Sequence, residues 1–193
     1  MIDSKQTLKE FLQYERKLYG NKSTCTLIPR FSEQGLIWKY VLLLRKCEYY
    51  YNTKKKIRYF FNNFTLKQLG IKLGFTVPIN VIDKGLLIYH KGNLVINANH
   101  IGKNVSIAGT AFFVAKGQTN ERPTLGDNVS IGMNVTFVGG ISIASMIAVG
   151  AGSVVTKSFT KENVTIAGNP AKVINEKAGS SSWGGWITHF AKK

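Results

Sequence analysis

Residues 125–155 read LGDNVSIGMNVTFVGGISIASMIAVGAGSVV, and an aliphatic or aromatic residue falls at every sixth position: Leu125, Ile131, Phe137, Ile143, Val149 and Val155. Working back along the chain, Val95, Ile101, Ile107 and Phe113 keep the same period. A second apolar series sits four positions later, at Val105, Val129, Val135, Ile141 and Ile147. The position directly after the first series is often small: Gly102, Ala108, Gly126, Gly132, Ala144 and Gly150. An amphipathic helix repeats every 3.6 residues and a half-buried strand every two, so neither explains a period of six. A short strand followed by a tight turn does, stacked so that each repeat buries its apolar residue on the next. The twelve-residue interval around Val114 to Thr124 is read either as two degenerate repeats or as a loop thrown out of the stack. Gly117, Gln118, Asn120 and Pro123 favour the loop.

Outside the repeat, residues 1–74 read as an α-helical N-terminal region. Leu8, Phe11, Leu12, Glu15 and Leu18 share one stripe, stopped by Gly20. A second helix, about 35–51, carries Trp38, Val41, Leu42 and Arg45 on one side, and a third spans about 58–69. Tyr49, Tyr50 and Tyr51 are read as packing between helices. Pro78 follows the change of pattern, giving a repeat domain over 75–172 and a tail over 173–193.

A chain of 193 residues with 11% aromatics is long enough for a buried core and too apolar for a disordered coil. Two cysteines, Cys25 and Cys47, make neither a disulfide framework nor a zinc site and read as buried packing residues, and no metal is expected. The N-terminus lacks an apolar core of the secretory type, so no signal peptide is expected. The aliphatic run Val41–Leu44 is too short to span a bilayer. The expected location is the cytoplasm. The formal charge is +16, and residues 1–74 hold 15 Lys and Arg against 5 Asp and Glu. Such a surface is either a solvated basic face or one that meets nucleic acid, an anionic membrane or an anionic small molecule. No zinc-finger, RNA-binding or basic-zipper spacing supports nucleic acid.

The hexapeptide period over about 77–171, closed by Ile166-Ala-Gly-Asn-Pro-Ala-Lys172, resembles the hexapeptide-repeat acyltransferases. That resemblance implies a mainly β fold, a left-handed parallel β-helix contrary to the usual crossover hand, preceded by the α-helical segment. The segment Leu87-Ile-Tyr-His-Lys-Gly-Asn-Leu-Val-Ile96 is similar to the histidine segment of serine acetyltransferases and of their sugar-acetylating relatives. His90 occupies a position the repeat elsewhere keeps small, so its imidazole projects from a corner. The resemblance makes it a general base that takes the acceptor's hydroxyl proton and later protonates the departing sulfur of coenzyme A. His100 and His189 read as bystanders.

The family pattern has an aspartate where Tyr89 stands and a second histidine where Arg122 precedes Pro123. Both departures weaken serine as the acceptor. Tyr89 and Arg122 therefore become candidate acceptor-binding residues, with Arg122 read equally as exposed loop charge. The family's groove for acetyl-CoA lies between two subunits of a homotrimer. Matching residue by residue places Met133, Ala151 and Gly152 beside its pantetheine arm. Lys157 and Lys172 are candidates for its phosphates or ordinary exposed charge. The tail residues Trp183, Trp186, Ile187 and Phe190 are read as docking on the trimer or touching the inner face of a membrane. The expected function is acetyl-CoA-dependent O-acetyl transfer to a sugar hydroxyl, as in polysaccharide biosynthesis. Serine O-acetyl transfer and a non-catalytic β-helix scaffold are the alternatives.

Overall fold

A computed structural model of the chain describes residues 1–22 and 32–179. Cys25, His189 and the tail residues Trp183, Trp186, Ile187 and Phe190 lie outside those residues. Helix α1 (Lys5–Leu18) starts at Ser4, whose hydroxyl accepts the Thr7 N–H, and ends in the turn before Gly20. Helix α2 (Glu33–Asn52) is capped by the Ser32 hydroxyl on the Gly35 N–H. Helix α3 (Lys56–Leu73) stops at Gly74, φ 77°, packed so tightly on Gly92 that a Cβ there would lie 2.7 Å from a carbonyl oxygen.

Short strands then follow one another at nearly regular intervals. They are β1 (Phe75–Thr76), β2 (Leu87–Ile88), β3 (Leu94–Val95), β4 (His100–Ile101), β5 (Ser106–Ile107), β6 (Ala111–Val114) and β7 (Thr124–Leu125). The series continues as β8 (Ser130–Ile131), β9 (Val135–Val138), β10 (Ser142–Ile143), β11 (Ala148–Val149), β12 (Val154–Val155), β13 (Thr165–Gly168) and β14 (Ala171–Asn175). The strands form three parallel faces of a prism: β1-β3-β6-β9-β12, β4-β7-β10 and β2-β5-β8-β11-β13. The chain visits the faces in fixed rotation, one strand each per coil. Antiparallel β14 closes the third face. The coil is left-handed. Sequence repeats of six thus build a coil of 18, seen where Ile131 pairs with Val149.

The coil from Ile107 to Ile131 takes 24 residues instead. The extra six leave the prism between β6 and β7, where a Lys116–Glu121 bridge and a helical turn at Gly117–Thr119 fold them back. The interval is an extruded loop, not degenerate repeats. Two register assignments change. Ile88 pairs with Ile107, so Tyr89 takes the place that Ala108, Gly132 and Gly150 keep small, and His90 stands one position beyond it. The other is at Val95. Leu94 and Ile96 are buried at 0% and 3%, whereas Val95 points outward at 37% exposure. Val95 pairs with Phe112, so Ile96 is the residue that fills the prism opposite Phe113.

The faces meet at three corners, and one of them turns alike in every coil. Gly85, Asn104, Asn128, Met146 and Asn163 occupy equivalent positions between the second and third faces, all with positive φ. Asparagine tolerates that left-handed conformation better than most residues. The asparagines also stack, with Asn104 Nδ2 donating to Asn128 Oδ1 at 3.1 Å.

The helices are locked to the first coil by one buried cluster. The Arg45 guanidinium meets Glu15 at 2.8 Å and Glu48 at 2.9 Å, and donates to the Ile82 and Asp83 carbonyls at 2.8 Å each. Glu15 in turn accepts the Gly85 and Leu86 N–H groups. Around it one apolar core runs continuously from Ile37, Trp38 and Leu44 in α2 to Val149 and Ile166 in the last coils. Of the three consecutive tyrosines, Tyr49 is buried as expected, whereas Tyr51 is 56% exposed.

Candidate active site

His90 sits at the corner where the third face gives way to the first. Extending the strand register along that corner puts Gly109, Met133, Ala151 and Gly168 in the equivalent position of successive coils. Parallel strands lie about 4.8 Å apart, so the row from His90 to Gly168 runs roughly 19 Å down the prism. Met133, Ala151 and His90, proposed from separate stretches of sequence, therefore share one edge. Gly152 lies beside Ala151, its N–H donating to the Met133 carbonyl, and a Cβ there would face open space. Gly132, next to the row, cannot be larger, because a Cβ would stand 2.6 Å from the Ala151 nitrogen. Met133 is half-exposed and leans toward His90: its Cε is 3.2 Å from where a Gly109 Cβ would be, a point only 3.6 Å from His90 Cβ. It belongs to the histidine end of the row.

The imidazole is 62% exposed and free to meet a ligand, and it has an acidic neighbour that the local sequence does not supply. Glu33, the first residue of α2, places Oε1 3.4 Å from His90 Nδ1 and accepts the Lys91 N–H at 2.8 Å. The next residue, Gln34, donates to the Tyr89 carbonyl. The N-terminus of α2 thus grips both sides of the histidine, and a carboxylate on Nδ1 leaves Nε2 to act outward. The Tyr89 ring packs against the core, and its own N–H pairs with the Ile107 carbonyl.

Arg122 and Lys157 stand elsewhere. The Arg122 carbonyl accepts from Asn99, and its guanidinium contacts Asn120 at 3.3 Å, at the corner between the first and second faces. Lys157 projects from that same corner, over the Phe159 ring at 5.6 Å. Within one chain, both are separated from His90 by the width of the first face. Lys172 lies on β14 opposite Ala167, beside the far end of the His90 row. His100 is on β4, 3.6 Å from Asp83 and away from this edge.

No family model matches the chain. Over 100 residues it is 38% identical to serine acetyltransferase 4 of Arabidopsis thaliana, covering 50% of this chain and 28% of that one. Over 106 residues it is 32% identical to the serine acetyltransferase of Buchnera aphidicola subsp. Schizaphis graminum, covering 51% and 39%. The chain spans between about a quarter and a half of the curated serine acetyltransferases it matches. Among solved structures, serine acetyltransferase from Brucella abortus strain S19 superposes with a TM-score of 0.68 at 22% identity, covering 89% of this chain and 70% of that one. The serine complex of the Neisseria gonorrhoeae enzyme superposes with a TM-score of 0.60 at 25% identity, with the same coverages. A left-handed β-helix of hexapeptide repeats, with serine acetyltransferase-like coils, is therefore the fold of this chain.

Proposed function

We propose that this hexapeptide-repeat chain is an acetyl-CoA-dependent O-acetyltransferase with His90 as the general base. The observation that carries the reading is an exposed corner imidazole held on Nδ1 by Glu33, at the head of an edge that continues through Gly109, Met133, Ala151 and Gly168. Acetyl-CoA supplies an activated acyl carbon as its thioester. His90 Nε2 takes the acceptor's hydroxyl proton as that oxygen bonds to the acyl carbon, then returns a proton to the sulfur as the carbon–sulfur bond breaks. Glu33 holds the ring orientation and stabilises the imidazolium between those steps, the role a buried carboxylate plays beside other catalytic histidines. Ala151, Gly152 and Gly168 place no bulky side chain on this part of the edge, which suits an extended amide-bearing arm. Lys172, and Lys157 from a neighbouring chain, suit its phosphates.

Arg122 and Lys157 can join His90 only if the loop corner of one chain meets the His90 corner of another. A homotrimer provides three such grooves, and this division of the residues between two edges supports it.

For the acceptor, serine is the better-supported reading. A serine acetyltransferase of Neisseria gonorrhoeae with a similar fold has been solved with serine bound. The missing aspartate before His90 argued for a sugar, but Glu33 restores a carboxylate beside the imidazole and removes half of that argument. A saccharide hydroxyl remains as a second reading because Arg122 stands where a histidine is expected, and a guanidinium cannot accept a proton. The test is coenzyme A release measured with L-serine and a panel of sugars and nucleotide sugars. Serine is expected to give the highest kcat/KM, and His90→Ala to lower turnover roughly 10²–10⁴-fold. Wild-type turnover by the alanine variant on a verified acceptor would refute the mechanism.

A further inference from the structure

Helix α3 carries apolar residues on two opposite faces. Tyr59, Leu66, Gly70 and Leu73 turn inward against α2 and β1. Ile57, Phe60, Phe61 and Phe64 fall at i, i+3, i+4 and i+7, the spacing of a second stripe, and are 60% to 75% exposed. Tyr51 and Met1, at 56% and 79%, extend this stripe around a groove of about 1020 Å³. A solvated helix face does not carry three phenylalanines and an isoleucine in two turns without a use; contiguous patches of this kind mark contact surfaces.

Its surroundings define the contact. Lys54, Lys56 and Arg58 are exposed beside the stripe, and Lys55 packs its ammonium on the Tyr49 ring at 4.6 Å. From residue 49 to residue 82 the chain has six Lys and Arg and no Asp or Glu. A second copy laid face to face would oppose these cations with their own kind. Nucleic acid would satisfy the charge and offer bases to the phenylalanine rings, but it would leave the exposed aliphatic side chains of Ile57 and Met1 without an apolar partner. An anionic membrane surface satisfies both features, because apolar side chains enter the acyl boundary while lysines and arginines remain at the headgroups. We propose that the α2–α3 turn and the outer face of α3 form a peripheral docking surface for anionic lipid bilayers. Phe60, Phe61, Phe64 and Ile57 insert, and Lys54, Lys56 and Arg58 select the charge. This does not depend on the acyl-transfer reading.

Co-sedimentation of the full chain with vesicles tests it. The protein should pellet with phosphatidylcholine vesicles containing about 30% phosphatidylglycerol and stay in solution with pure phosphatidylcholine. Raising salt to about 0.5 M should release it. Phe60→Ser/Phe61→Ser should weaken binding at least about tenfold. Replacing Lys54, Lys56 and Arg58 by Gln should cost roughly fivefold for each charge. All these side chains are solvent-exposed, so unchanged circular dichroism and melting are expected and are checked for each variant. The proposal is overturned if wild type ignores the charged vesicles, or if it binds neutral ones equally well. It is also overturned if the serine variants instead dissociate an oligomer in sedimentation equilibrium, or if a single-stranded oligonucleotide binds through these residues and displaces the vesicles.

Discussion

Arg45→Met should be among the most damaging single substitutions in the helical region. The guanidinium has five N–H donors, and five acceptor contacts use them: Nε with Glu15 at 3.2 Å, Nη1 with Glu48 and Ile82, and Nη2 with Glu15 and Asp83. Arg45 and Glu15 are fully buried and Glu48 nearly so, so water cannot replace a lost partner. Breaking one buried pair costs about 3–5 kcal/mol. Here two carboxylates lose their cation, and two carbonyls lose donors worth about 1 kcal/mol each. Protonation of the stranded glutamates relieves part of this, leaving a loss of about 4–6 kcal/mol, a large share of the roughly 5–15 kcal/mol typical of a folded domain. Equilibrium urea unfolding followed by circular dichroism should show a midpoint lower by about 2 M, at a slope of 2–3 kcal/mol/M. The charge-free triple variant Glu15→Gln/Arg45→Met/Glu48→Gln should recover several kcal/mol, because no charge is then stranded. A loss below about 1 kcal/mol for Arg45→Met alone would refute the reasoning.

Three further outcomes are expected. Glu33→Gln should lower kcat about 10- to 100-fold with little change in KM for acetyl-CoA, as when other partners that orient a functional histidine are removed; equal losses in kcat and folding stability would reassign Glu33 to a structural role. Met146, with φ 58° in a row of asparagines and glycine, carries left-handed strain of about 1 kcal/mol, so Met146→Asn should raise Tm by roughly 2–4 °C; a lower Tm would contradict this. Burial, then Glu48, pushes the Cys47 thiol up to about 12, and burial raises Tyr40 and Tyr19 as well. The unfolded chain ionises these groups first, so their stabilisation is complete below about pH 9 and is lost as pH climbs toward 12; melting at about pH 8 and about pH 10.5 should show the fall, reduced in Cys47→Ala.

The six-residue period made the prism legible, because each coil repeats one packing problem and the solution must recur in the residues. It failed at Leu94-Val95-Ile96, where three adjacent apolar residues satisfy the pattern in either register and only pairing with Ala111 and Phe112 decides. Glu15 and Arg45 each fell within an apolar helical stripe. Opposite charges on two buried faces were a sign of their pairing, visible before any fold was known. The Glu33–His90 contact joins residues 57 positions apart through a helix end, and nothing periodic announces it. Likewise the row from His90 to Gly168 follows from register once coils are counted, including the one lengthened by six residues. The placement of Arg122 on the opposite edge depends on which corner releases the loop, and composition is silent on that.

The corner rows give this molecule a ruler. Every coil contributes one residue to each edge, so the separation between any two groups on that edge is a whole number of strand spacings. Side chains there point away from the prism interior, and substitutions at His90, Met133 or Ala151 alter the surface of the proposed binding edge while Leu94, Phe113 and Phe137 continue to fill the centre. Recognition along such an edge changes in discrete steps. A different ligand length calls for a coil more or fewer, and a different ligand chemistry calls for a new residue on an existing rung.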